Sequence, residues 1–307
     1  MENKNVENKR ITRNLVVNRK ENTVQVLVQE YAKSYRKMTV AQISENYQRI
    51  GEEAFRGSMA LEKAVLPRSL VELGDRVFQG CSNLKEVELP SSLTRIGEGC
   101  FANCTRLERA RIPAYVESIA SETFLWNRNL REVLFSRRSR LVSVGTKAFD
   151  KCDSLEYILL PDTVREIGYR AFNNCRKLSE IHFPQNLLYI GDAAFYFCDM
   201  KNIILPEGLC YIGRRAFCNL RYLDTAILPA SVRYIGDKAF RGCNRMRILE
   251  IHGNPQYIGE SIANHCVTVR CVEGSRVDEY CRKEGYTVEY LEEEIDADMG
   301  EELEELE

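Results

Sequence analysis

The sequence predicts a repeat solenoid: a stack of about ten short coils of the α/β class. Its strands form a parallel β-sheet on one face, and short helical or 3-10 turns complete each coil. Three observations carry this. An Ile-Gly step, or a variant of it, begins at Ile50, Leu73, Ile96, Ile119, Val144, Ile167, Ile190, Ile212, Ile235 and Ile258. The steps are 23 residues apart except for one interval of 25 and one of 22, and a sustained period of this length marks a solenoid. Within each period the apolar residues hold fixed places, as in Leu178, Ile181, Phe183, Leu187, Ile190, Ala171 and Phe172.

Each part of the coil has a physical reason. Ile181 and Phe183 are spaced by two, the period of a strand with one face inward. Pro184 lacks a backbone donor and ends the ladder. Gly168 is expected to supply a turn conformation that a side chain would resist. Ala171, Phe172 and Cys175 fit one helical or 3-10 turn. A single coil cannot bury these residues, whereas stacked coils do, at roughly 4.8 Å per strand.

Residues 1–49 read as a polar N-terminus and a cap, 50–272 as the solenoid, 273–290 as a C-terminal cap and 291–307 as an acidic disordered tail. Between residues 24 and 36 two readings compete, an amphipathic helix placing Val24, Leu27, Val28, Tyr31 and Tyr35 together or a strand through Val24–Val28. Either covers the open first coil, as end repeats require. The fourth coil is irregular: Ala120 replaces Gly, Asn127 replaces Cys, Ser136 replaces Pro, and an insertion carries Arg137, Arg138 and Arg140. A protruding basic loop is expected there. The seventh coil is a residue short near Met200. After the tenth, Ser275 reads as a helix N-cap, Val277, Tyr280 and Cys281 share a face, and Gly285 ends the helix. Thr287–Tyr290 is a final strand. Leu303 and Leu306 would lie on a frayed helix if the tail orders at all.

The formal net charge of -2 conceals an asymmetry. From Glu289 onward there are 11 acidic residues and no Lys or Arg, leaving a body of 34 acidic and 43 basic residues. No apolar run reaches the ~20 residues of a membrane span, and the first residues have no apolar signal region. Of 12 cysteines, seven (Cys81, Cys104, Cys152, Cys175, Cys198, Cys243, Cys266) hold one repeat position, which assigns them to packing. Cys100, Cys210, Cys218, Cys271 and Cys281 show no pairing pattern. A reducing, cytoplasmic setting is therefore expected.

The repeat Leu-x-x-Ile-x-Leu-Pro-x-x-Val-x-x-Ile-Gly-x-x-Ala-Phe-x-x-Cys resembles the BspA-type bacterial leucine-rich repeat. Leu155, Ile158, Leu160, Pro161, Val164, Ile167, Gly168, Ala171, Phe172 and Cys175 carry the match most fully, and Val272–Ser275, Tyr280 and Gly285-Tyr286 resemble the end cap of that family. The resemblance covers about residues 37–290. It implies a curved solenoid and, as the alternative to a cytoplasmic setting, a surface or secreted protein that adheres to host matrix proteins or glycan.

Candidate sites must lie at the variable, outward positions. The outward strand row is Val65, Glu88, Arg111, Leu134, Leu159, His182, Ile204, Ile227 and Glu250, of which Leu134, Leu159, Ile204 and Ile227 are aliphatic. Apolar stripes mark partner surfaces, although sheets favour such residues in any case. A second row, Tyr189, Tyr211, Tyr234 and Tyr257, precedes the repeat Ile in four successive coils. Stacking makes it a ladder of a residue type common at recognition surfaces. A basic patch gathers Arg106, Arg109, Arg111, Arg128, Arg131, Arg137, Arg138 and Arg140, which an acidic partner, the chain's own tail included, would meet. No nucleic-acid motif accompanies it. No zinc spacing, catalytic triad or phosphate loop is present. The sequence thus points to a non-enzymatic protein-interaction module without cofactor, metal or small-molecule substrate.

Overall fold

A computed structural model describes residues 25–35 and 37–292. Val24 and the acidic tail, with Leu303 and Leu306, lie outside the described residues. The chain winds into about eleven parallel turns. They form two strand stacks, whereas the sequence reading expected one sheet. The expected strands, such as Glu180–His182 and Thr225–Leu228, stack in four sheets from Val40–Gln42 to Thr287–Tyr290. The second stack consists of two-residue strands at the Ile-Gly step, one sheet of four from Val26–Leu27 to Arg95–Ile96 and one of seven from Ser118–Ile119 to Tyr257–Ile258. Two residues carry too little alternation to announce a strand. Their pairing becomes visible only when coils lie in register, as in Tyr189↔Tyr211 and Ile190↔Ile212.

The rest of the coil is laddered as well. Amides of Arg170, Phe172 and Asn174 donate to Asp192, Ala194 and Tyr196 in the next coil at 3.0, 2.8 and 2.7 Å. Between them run i→i−3 bonds such as Cys175 to Phe172 at 3.2 Å. This segment is not a helix or a continuous 3-10 turn, because Arg170 (φ 53°) and Asn174 (φ 58°) are left-handed and break the winding into linked turns. Gly168 does not have a positive φ. It is needed for close approach: a Cβ there would lie 3.0 Å from Gly145 C and Val144 O in the coil below.

The core follows the repeated letters. Nine phenylalanines from Phe55 to Phe240 are fully buried. Their rings stack at 5.1–5.5 Å with interplanar angles of 3–14°. Six of the nine Phe carbonyls take a thiol from the next coil, among them Phe149 O from Cys175 Sγ at 3.1 Å and Phe172 O from Cys198 Sγ at 3.2 Å. None of the cysteines is in a disulfide. Cys266, expected in the core, is exposed. Burial raises the thiols, Cys81 to about 12.

At the fourth coil Asn127 is fully buried, and neither its Oδ1 nor its Nδ2 finds a partner. The short-strand stack breaks just before this coil, between Arg95–Ile96 and Ser118–Ile119. The inserted loop does not stand free: the Arg140 amide donates to Ala114 O at 2.9 Å and its guanidinium lies 4.8 Å from the Tyr115 ring centre. In the seventh coil Met200 is buried, and Asp199 bonds Leu178 O of the coil below.

Both ends are capped. The competing N-terminal readings are each realised in part, since Val26–Leu27 pairs with Arg49–Ile50 and a helix follows at Gln29–Ala32. At the other end, helix Arg276–Glu284 starts at Ser275, whose Oγ accepts from Asp278 N, and stops at left-handed Gly285 (φ 79°). Val277 and Cys281 are buried beneath it, and Thr287–Tyr290 pairs with Thr268–Cys271.

Candidate functional site

The tyrosine row forms the ladder that the spacing implies. Ring centres are 4.5 Å apart for Tyr189–Tyr211, 4.4 Å for Tyr211–Tyr234 and 4.6 Å for Tyr234–Tyr257, with rings within 13° of parallel. Each tyrosine is the outward residue of a two-residue strand whose Ile is inward, so the backbone register holds the rings face to face. The first three are half-buried and Tyr257 is 44% exposed. Their flat faces cover one another, which leaves the ring edges as the exposed part of the ladder.

At this lattice position the N-terminal coils use charge. Arg49 pairs with Glu72 at 3.2 Å, and Glu72 also takes Arg95. Such exposed pairs contribute little, roughly 0–1 kcal/mol. The tyrosine half is bordered by carboxylates. Asp192 and Asp237 each follow a repeat Gly and accept a backbone N–H from the next coil, Arg214 at 2.8 Å and Glu260 at 3.0 Å. Tyr257 Oη lies 3.3 Å from Asp237 Oδ1. Burial, and then Asp192 and Glu166, hold the Tyr189 phenol above its usual range, and Asp237 does the same to Tyr257. Asp192 and Asp237 escaped the sequence reading, although the Gly191-Asp192 and Gly236-Asp237 pairs were there to be seen.

The aliphatic stripe is discontinuous. Leu159 and Ile204 are 66% and 69% exposed, while Leu134 and Ile227 are half-buried. Ile204 pairs beside Ile227, but Leu159 pairs beside His182, and the strand sheet breaks between His182 and Ile204. His182 Nε2 sits 3.3 Å from Asp162 Oδ1 on an open surface. The basic residues are divided too. Arg109 and Arg111 are outward on strand Arg109–Ile112, and Arg131 immediately precedes the adjacent strand. Arg128 lies by the turns, 4.6 Å from the Trp126 ring centre. Arg109 pairs with Glu132 at 3.3 Å and Arg128 with Asp153 at 3.8 Å, whereas Arg137 and Arg138 are exposed. Among the described residues no group of three or more His, Cys, Asp or Glu is placed to hold a metal ion, and no helix is long and apolar enough to cross a membrane.

The BspA type Leucine rich repeat region matches this chain in six copies over residues 27–142 and 142–270. A leucine-rich repeat protein from Bacteroides ovatus is 26% identical with a TM-score of 0.67, over 84% of this chain and 70% of that one. A leucine rich cell surface protein from Faecalibacterium prausnitzii has the same fold at 20% identity and a TM-score of 0.53, over 89% of this chain and 84% of that one. No curated protein matches the chain.

Proposed function

The chain belongs to the BspA-type leucine-rich repeat family, and from that premise we propose that it is a non-enzymatic protein-binding module whose contact surface is the tyrosine ladder. One observation carries the reading: four stacked rings in register beside the carboxylates of Asp192 and Asp237. Stacked rings are already ordered, so a partner binds them at small cost in side-chain entropy. Tyrosine offers apolar area with a hydroxyl to orient the contact. The bordering Glu166, Asp192 and Asp237 favour a partner segment bearing Arg or Lys, whose cations pair with carboxylates and lie against aromatic rings. The unpaired thiols support a reducing compartment as its setting.

The test replaces Tyr189, Tyr211 and Tyr234 by Ser in one variant and compares it with the natural chain on arrays of Arg-bearing and matched Glu-bearing peptides. The natural chain retains Arg-bearing peptides in a salt-sensitive way, and the variant loses them with its circular dichroism intact. Equal retention by the two chains, or preference for the Glu-bearing set, refutes the reading.

A further inference from the structure

On the turn side of coils four to eight lies a groove of about 420 Å³ that neither strand stack shares. It arises from one short side chain. The left-handed turn position carries Lys147, Arg170, Ala193, Arg215 and Lys238 in successive coils. Ala193 stands where its neighbours have long cationic chains, and the gap it leaves opens between Arg170 and Arg215. Trp126, Lys151 and Tyr196 also line it. The floor is polar and buried: Asp150 is 5% exposed and accepts Asn173 Nδ2 at 2.8 Å.

The charges do not balance. Lys147 pairs with Glu122 at 3.1 Å. Among the described residues, Lys151, Arg170 and Arg215 have no carboxylate at salt-bridge distance. Lys151 lies 3.8 Å from the Trp126 ring centre and Arg170 is 5.1 Å from that of Tyr169. Three cations against the single carboxylate of Asp150 leave a surplus of two, and rows of like charge at coil spacing repel unless an anion joins them. Asp150 itself has accepting capacity beyond its one amide partner. A ligand that fits both conditions brings two negative charges for the rim and hydroxyl donors for the floor. The volume lies within the range of small-ligand sites, roughly 300–1,000 Å³.

We propose that this groove binds a sugar phosphate, its phosphate held by Arg170, Arg215 and Lys151 and its hydroxyls donating to Asp150. A phosphate monoester supplies close to two charges at neutral pH. Inorganic phosphate alone brings no sugar hydroxyls to Asp150, and an uncharged sugar leaves the cations unpaired. The inference is independent of the tyrosine ladder, so failure of either leaves the other standing.

Trp126 is the one tryptophan of the chain and lines the groove, so its fluorescence reports occupancy. The natural chain is titrated with glucose 6-phosphate, inorganic phosphate and glucose, and calorimetry repeats each titration in case the indole does not respond. Glucose 6-phosphate is expected to saturate with a dissociation constant near or below about 1 mM, at least about tenfold tighter than the other two probes. Arg170→Asn with Arg215→Asn is expected to weaken it by about tenfold or more, since Asn tolerates left-handed backbone while the guanidinium groups that would hold the phosphate are gone. Arg137→Asn with Arg138→Asn, away from the groove, leaves the affinity unchanged. Asp150→Asn is expected to narrow the preference over inorganic phosphate. Absence of saturation by both readouts, equal affinity for inorganic phosphate, or undiminished affinity in a folded Arg170/Arg215 variant overturns the proposal.

Discussion

Asn127→Cys is expected to stabilise the protein. In the regular coils a Cys at this position donates to the Phe carbonyl of the coil below, as Cys104 does to Phe78 at 3.1 Å and Cys152 to Phe124 at 3.2 Å. Asn127 occupies the place with 0% exposure, and both of its polar atoms lack partners. A buried polar group left unpaired costs about 1–3 kcal/mol, and two such atoms share one side chain here. Cys has nearly the volume of Asn, so the swap removes the unpaired atoms without opening a void and returns a thiol donor toward Phe101 O. The expected gain is about 1–3 kcal/mol. Equilibrium urea unfolding under reducing conditions reads it as a higher midpoint at unchanged slope. The reverse change, Cys175→Asn, is expected to lower the midpoint. Asn127→Ala removes the same atoms but leaves a cavity, so its gain is smaller than that of Cys. A midpoint for Asn127→Cys at or below that of the natural chain would refute the reasoning, because it would mean that the amide contributes more than its desolvation costs.

Four further outcomes follow from the packing. Phe172→Ala is expected to cost about 3–5 kcal/mol as a core truncation, whereas Arg138→Ala changes stability by no more than about 0.5 kcal/mol; similar melting shifts for the two would contradict the inside–outside assignment. Gly213→Ala brings a Cβ to 2.5 Å from Asp192 N and Gly191 C, so it is expected to destabilise by about 1–3 kcal/mol, read from the same urea curves. In the native protein a thiol reagent at pH 8 labels the exposed Cys210 and Cys266 and spares the ten buried cysteines until denaturant is added. Burial lifts Cys81 and Cys243 to about 12, while unfolded thiols ionise near 8.5. Between those values the native state holds more protons than the unfolded one. Stability is therefore complete below about pH 8.5 and falls as pH rises toward 12, by up to about 1.4 kcal/mol per pH unit for each thiol. A urea midpoint that is unchanged between pH 7.5 and 10 would contradict this.

Much of the candidate site was legible as letters. The spacing of Tyr189, Tyr211, Tyr234 and Tyr257 placed them in one row, because equal phase in a periodic chain becomes adjacency once coils stack. The carboxylates beside them were harder to see, since Asp192 and Asp237 draw attention only when the Gly-Asp turn is known to lie along the ring edges. The aliphatic stripe was overread. Its four members share a phase, yet the sheet breaks after His182 and separates Leu159 from Ile204. The groove was missed altogether. Ala193 is an unremarked small residue in the sequence, and its consequence depends on the lengths of Arg170 and Arg215 in the coils on either side.

Periodicity alone determined the solenoid, the buried letters and the phase of every outward row, because a repeated burial pattern has one solution in which each coil covers the next. The C-terminal cap was equally determined, since Ser275 and Gly285 act through local backbone geometry. Tertiary structure alone decided what passes between coils: the second strand stack, the thiol-to-carbonyl bonds, the stranded amide of Asn127 and the backbone contact that forbids a side chain at Gly168. Each is a relation between residues about 23 apart, and its energy depends on ångström distances set by the stacking, which no local pattern in the chain encodes.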